Sequence, residues 1–172
     1  MSGQQTTTTA FPVLDDLEDV WAAADALAQG RAVAHGFGAG YALTSRPDRD
    51  AVERVEGLTG GPAVRSGGVT TVPERVAALF DWSLLPREFP RRPLLDLVRD
   101  LLALGPFGFR GPAAAQLPAH LTAVRDGVRT VRLVAPGLGC PSRAFLGAAL
   151  DRTGTGFLAL VPADRPGRRA SP

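Results

Sequence analysis

Residues 31–45, RAVAHGFGAGYALTS, carry the reading that decides the fold. RAVAH at 31–35 and YALTS at 41–45 read as two short strands, joined by the glycine-rich turn Gly36-Phe37-Gly38-Ala39-Gly40. Alternating glycines also invite a phosphate-loop reading, because they let backbone N–H groups approach an anion. The order of elements argues for the plain turn. A dinucleotide loop runs from a strand through glycines into a helix, whereas a second strand follows here, and no Gly-Lys-Ser/Thr exists for a nucleoside triphosphate loop.

Upstream, Leu14, Leu17, Val20, Trp21, Ala24, Leu27 and Ala28 recur at helical spacing, with Asp15 and Asp16 near the start and Gly30 past the end. Downstream, the pattern predicts a helix over 48–58, a strand within 67–72, a short helix over 73–80, an irregular connection and a helix over 93–104. A strand at 107–110, a helix over 118–126 and the strand VRTVRLVA at 128–135 follow, then a helix over 142–153 capped by Ser142 and the strand FLALV at 157–161. Strands and helices alternate without an even beat. The expected class is therefore α/β, a mixed twisted sheet with helices packed on it. Residues 1–12 and 168–172 lack apolar periodicity and are expected to be a disordered lead and tail around one domain at 13–167.

The chain has 172 residues, 45% hydrophobic and 21% charged, which suits one folded domain with a single site. All 19 basic residues are arginine, and lysine, asparagine and isoleucine are absent, as in proteins from GC-rich bacterial genomes. No Schiff-base or phosphate-clamping lysine is available, so any fixed cation in a site is a guanidinium. The net charge of +2 is modest for nonspecific nucleic-acid binding. No apolar run is long enough to span a membrane, and the polar start SGQQTTTT lacks signal-peptide character, so a cytoplasmic location is expected.

His35 and His120 are the only imidazoles and Cys140 the only thiol, without metal-ligand spacing. His35 reads either as a satisfied strand-end histidine or as a general base. Cys140, before a helix in Gly-Leu-Gly-Cys-Pro-Ser, reads as a small turn residue or a thiol under a helix dipole. Among the arginines, Arg65 after a Gly-Gly-Pro turn, Arg132 within the strongest strand and Arg165 after the last strand stand out. An inward arginine on a strand needs an anion or carboxylate to meet it, whereas an outward one needs only water.

In order and spacing these segments resemble the YrdC family, the threonylcarbamoyl-AMP synthases of tRNA modification. ALAQGRAVAHGFGAGYAL at 26–43 is similar to that family's opening helix, strand and Pro-Thr-Glu-Thr-Val-Tyr-Gly-Leu motif. SRPDRDAVERVEGLTGGP at 45–62 resembles its next helix and Lys-x-Arg-Pro signature, and Leu104-Gly105-Pro106-Phe107 its Pro-Gly-Pro-Leu. VRTVRLVAP resembles its Val-Arg-Val-Pro strand, and CPSRAFLGAALDRTGTGFLALVPADRPG at 140–167 its last helix and Thr-Ser-Ala-Asn-x-Ser-Gly end.

The departures are as regular as the matches. Phe37, Gly38 and Ala39 stand where the family has Thr, Glu and Thr, leaving Tyr41 and Leu43. The signature lysine and arginine fall on Thr59 and Gly61, and the closing serine, asparagine and second serine on Pro162, Asp164 and Pro166. The resemblance implies a YrdC-like fold with a concave pocket on the sheet. It also implies ATP as the cosubstrate, and a carbamate formed on threonine that attacks the α-phosphorus and expels pyrophosphate. With these residues replaced, the expectation is a small anionic ligand, adenylate, carbamoyl or amino-acid-like, held by Tyr41, Arg65 and Arg132, without working synthase activity. The alternatives are a noncatalytic module binding RNA or a partner protein, and a genuine synthase with a rebuilt site.

Overall fold

The computed structural model describes residues 14, 16–38, 40–59, 68–86 and 88–163. The predicted lead and tail lie outside this set, as do Arg65, Gly61, Asp164, Arg165 and Pro166. Asp16 starts helix α1 (Leu17–Ala28), its carboxylate accepting from the Glu18 N–H at 2.7 Å, and Gly30 ends it with φ 85°. Strands β1 (Val33–Phe37) and β2 (Gly40–Ser45) form an antiparallel hairpin in which Phe37 faces Gly40. Gly38 takes φ 62°, a region that glycine enters at no steric cost, so the alternating glycines serve a tight turn.

Asp48 starts α2 (Arg49–Thr59), accepting from the Ala51 N–H at 3.0 Å. Strand β3 (Gly68–Thr70), 3₁₀ segments at Pro73–Leu79 and Trp82–Leu84, α3 (Arg91–Leu104) and β4 (Phe107–Pro112) follow. The helix expected over 73–80 is thus the tighter 3₁₀ form. The helix expected over 118–126 is not formed. A short 3₁₀ turn, Ala119–Leu121, gives way to strand β5 (Ala123–Arg125), which a hairpin at Asp126 (φ 50°) and Gly127 (φ 76°) joins to β6 (Val128–Ala135). The Asp-Gly hairpin signal and β-branched Thr122 and Val124 outweighed the helical spacing. Helix α4 (Ser142–Thr153) and β7 (Leu158–Pro162) close the domain.

The sheet is mixed, as expected, with seven strands in the order β1-β2-β7-β3-β6-β4, and β5 pairs with β6. Only β3 and β6 run parallel; every other pair is antiparallel. The pleat divides the core in two. Val69, Val131, Leu133, Ala159 and Val161 face α2, α3 and the 73–79 segment, and Val33, Phe37 and Leu158 face α1 and α4. Among the described residues, side chains of β4, β5 and β6 are absent from the α1/α4 cluster, which leaves the same face of those strands open beside the two helices. Among the described residues no helix is long and apolar enough to cross a membrane.

Candidate functional site

Alternation along β6 fixes what the open face carries. Val131, Leu133 and Ala135 point into one core, so Thr130, Arg132 and Val134 point to the other side. Arg132 is half-buried there, directly opposite Arg110 of β4. Arg125 of β5 lies opposite Val128 and shares this face. Partial desolvation and the neighbouring guanidinium groups of Arg125 and Arg132 hold the Arg110 pKa below its ordinary value. The Thr130 hydroxyl donates to the Ala123 carbonyl at 3.0 Å and ties β5 to β6 beneath them.

Tyr41 sits elsewhere. It shares the pleat with Leu43 and Ser45, on the side of the sheet that α2 covers, and it is 69% exposed. Strands β7 and β3 separate β2 from β6, three steps of ~4.8 Å or about 14 Å. The structure does not bring Tyr41 and Arg132 to one face. Arg65, on 60–67, is outside the described residues.

A groove of about 960 Å³ runs between α1 and the outer edge of β1, lined among others by Asp19, Arg31, His35, Tyr41, Cys140 and Ser142. His35 is a satisfied strand histidine: 4% exposed, it donates from Nδ1 to the Gly36 carbonyl at 3.1 Å and accepts the Thr44 hydroxyl at Nε2, 2.8 Å away. Its ring packs edge-on against Phe145 at 4.9 Å. Burial holds its pKa below the ordinary 6.5, against a smaller opposing effect of the bond to Gly36, so the ring is neutral at pH 7. Ser142 is not the cap of α4: Pro141 precedes it with helical dihedrals, and the Ser142 hydroxyl donates to the Gly36 carbonyl at 2.6 Å.

Thr59 ends α2 buried, with its hydroxyl donating back to the Val55 carbonyl at 3.3 Å. A short side chain bonded to its own helix cannot deliver the cation that a lysine would carry to a phosphate. Among the described residues no group of three His, Cys, Asp or Glu side chains is placed to hold a metal ion.

The fold has counterparts among solved structures. A double mutant of P. abyssi Sua5 superposes with a TM-score of 0.65 at 19% identity, over 89% of this chain and 40% of that one. The fold is that of Sua5 and YciO. P. abyssi Sua5 complexed with L-threonine gives a TM-score of 0.60 at 20% identity, covering 84% of this chain and 38% of that one. E. coli YciO also gives 0.60, at 16% identity, covering 84% and 63%. The chain therefore spans about 40% of the length of Sua5 and under two thirds of YciO. No family model matches the sequence, and no curated protein matches it.

The sequence reading singled out Arg132 and overlooked Arg110 and Arg125. The signal for Arg110 was present, since in Phe107-Gly-Phe109-Arg110 the phenylalanines pack inward and the arginine falls on the other side. Arg125 was hidden because its segment was read as a helix, on which no cross-strand neighbour can be assigned.

Proposed function

We propose that the open face of β4, β5 and β6 binds a small anionic ligand, adenylate, carbamoyl or amino-acid-like, through Arg132, and that the chain does not make threonylcarbamoyl-AMP. The fold shared with Sua5, which has been crystallised with L-threonine, supports a small ligand. The observation that carries the reading is Thr59. It occupies the position that resembles the signature lysine, its hydroxyl is bonded to its own helix, and the chain has no lysine to take over. ATP fits these residues poorly.

Losing one preorganised donor to a developing charge costs roughly 10²–10³ in rate, and several losses in one unit bring turnover near background. The test is pyrophosphate release from ATP with bicarbonate and threonine, on protein free of host synthase. Background release, together with threonine or AMP binding that Arg132→Gln weakens, is expected. Threonine-dependent turnover of about 1 s⁻¹ overturns the reading.

A further inference from the structure

We propose that the groove between α1 and the outer edge of β1 takes the carboxy-terminal segment of a partner polypeptide as an added strand, antiparallel to β1, with its terminal carboxylate at Arg31. The site is separate from the β4–β6 face and stands independently of the function read there. β1 is the end strand of the sheet, paired with β2 alone among the described residues. On β2 the Tyr41 carbonyl accepts from the Ala163 N–H at 2.9 Å, and Pro162, opposite Ala42, has no N–H to give. Residues 41, 43 and 45 therefore turn their backbone groups to β7, and Ala42 and Thr44 turn theirs to His35 and Val33. By the same alternation Ala32, Ala34 and Gly36 direct N–H and C=O groups out of the sheet edge. Gly36 shows it: its carbonyl is met from outside by the Ser142 hydroxyl at 2.6 Å. That bond closes the far end of the edge, and the stretch at Ala32 and Ala34, both exposed, stays open beside Arg31.

Helix α1 turns back into β1 through residues 29–32 and lines the groove with Ala22, Ala23 and Ala26. Their methyl groups leave headroom for alternate apolar side chains of an added strand, within a volume of about 960 Å³. Arg31 stands at the end where helix and strand join, exposed and bonded to the neutral amide of Gln29 at 3.0 Å. A strand antiparallel to β1 ends there, so its carboxylate meets the guanidinium and the outward N–H of Ala32 in charge-assisted hydrogen bonds. A parallel strand would bring an ammonium to the same arginine, and like charges repel. A second copy of β1 would offer its hairpin turn around Gly38, which carries no anion.

The test is fluorescence-detected binding of the full chain to a pentapeptide of alternating threonine and valine, labelled at its amino end and prepared as the free acid and as the carboxy-terminal amide. The free acid is expected to bind with a Kd below about 1 mM, and the amide about 10-fold or more weakly. Arg31→Gln should remove the difference between the two. Ala34→Pro deletes an outward N–H and should weaken both, as should Ala22→Gln, which fills the headroom from an exposed helix position. Arg49→Gln, in an exposed pair on α2, should change nothing. Unchanged melting temperatures for Arg31→Gln and Ala22→Gln keep the comparison valid even where Ala34→Pro does not fold. Equal affinity of wild type for acid and amide overturns the carboxylate end and with it the proposal, and so does binding of neither peptide. A concentration-dependent dimer in sedimentation that Ala22→Gln dissociates gives the groove to a second copy and overturns it as well.

Discussion

The hydroxyl of Ser142, at the start of α4, donates to the carbonyl of Gly36, in β1, at 2.6 Å across 106 positions of sequence. The same carbonyl accepts from Nδ1 of His35. One oxygen thus ties the edge strand to the helix that covers it. Ser142 is only 2% exposed, so no water replaces the bond when the hydroxyl is removed. Ser142→Ala is expected to cost about 1 kcal/mol, read as a lower melting temperature and a lower denaturant midpoint with unchanged slope. An unchanged midpoint would show that the bond contributes nothing net.

His35 predicts a pH dependence. Its pKa is held below 6.5 in the fold, while the unfolded chain takes up the proton near 6.5. Between those values the unfolded state binds more protons, so stability is full above pH 6.5 and is lost as pH falls toward the folded pKa. Melting temperatures between pH 7.5 and 5 should decline for wild type and decline less for His35→Gln. Equal slopes for the two would remove His35 as the cause.

Two glycines should respond oppositely to alanine. At Gly68 an added Cβ falls 2.1 Å from the Arg132 carbonyl oxygen, a backbone atom of the neighbouring strand, so β3 and β6 must part. Gly68→Ala should cost about 3 kcal/mol or more, or abolish soluble expression. Gly57 lies in α2 with nothing within 4 Å of its added Cβ. Gly57→Ala should stabilise by about 0.5–1 kcal/mol in a denaturant titration. Similar effects from both would refute the close β3–β6 approach.

Phe145 is fully buried beneath α1 and touches the His35 ring. Phe145→Ala should cost about 3–5 kcal/mol by lost burial plus a cavity, and Phe145→Leu much less. Chemical denaturation of both gives the comparison, and a small loss for the alanine variant would mean that the α1/α4 cluster is loosely packed.

The strands and most helices were legible because each announces itself locally. The glycine turn, the alternation in VRTVRLVA and the Asp16, Asp48 and Gly30 boundary residues act within a few positions. The misreadings fall where local signals compete. Pro118 and helical spacing argued for a helix at 118–126, but the Asp126-Gly127 turn and pairing with β6 won. Ser142 has the chemistry of a cap, yet its hydroxyl found a partner that no window of sequence contains.

By itself the sequence determined the α/β class, the hairpin at 31–45, the chain order resembling the YrdC family and the absence of lysine from any site. These follow from residue identity and short-range periodicity. Only the tertiary structure decided which side chains meet. Strand order put β7 and β3 between Tyr41 and Arg132, pleat parity placed those two on opposite faces, and the β4–β6 register set Arg110 against Arg132. The physical reason is that pairing partner and register depend on which remote strand buries its face, and a shift of one residue would turn every one of these side chains to the other side.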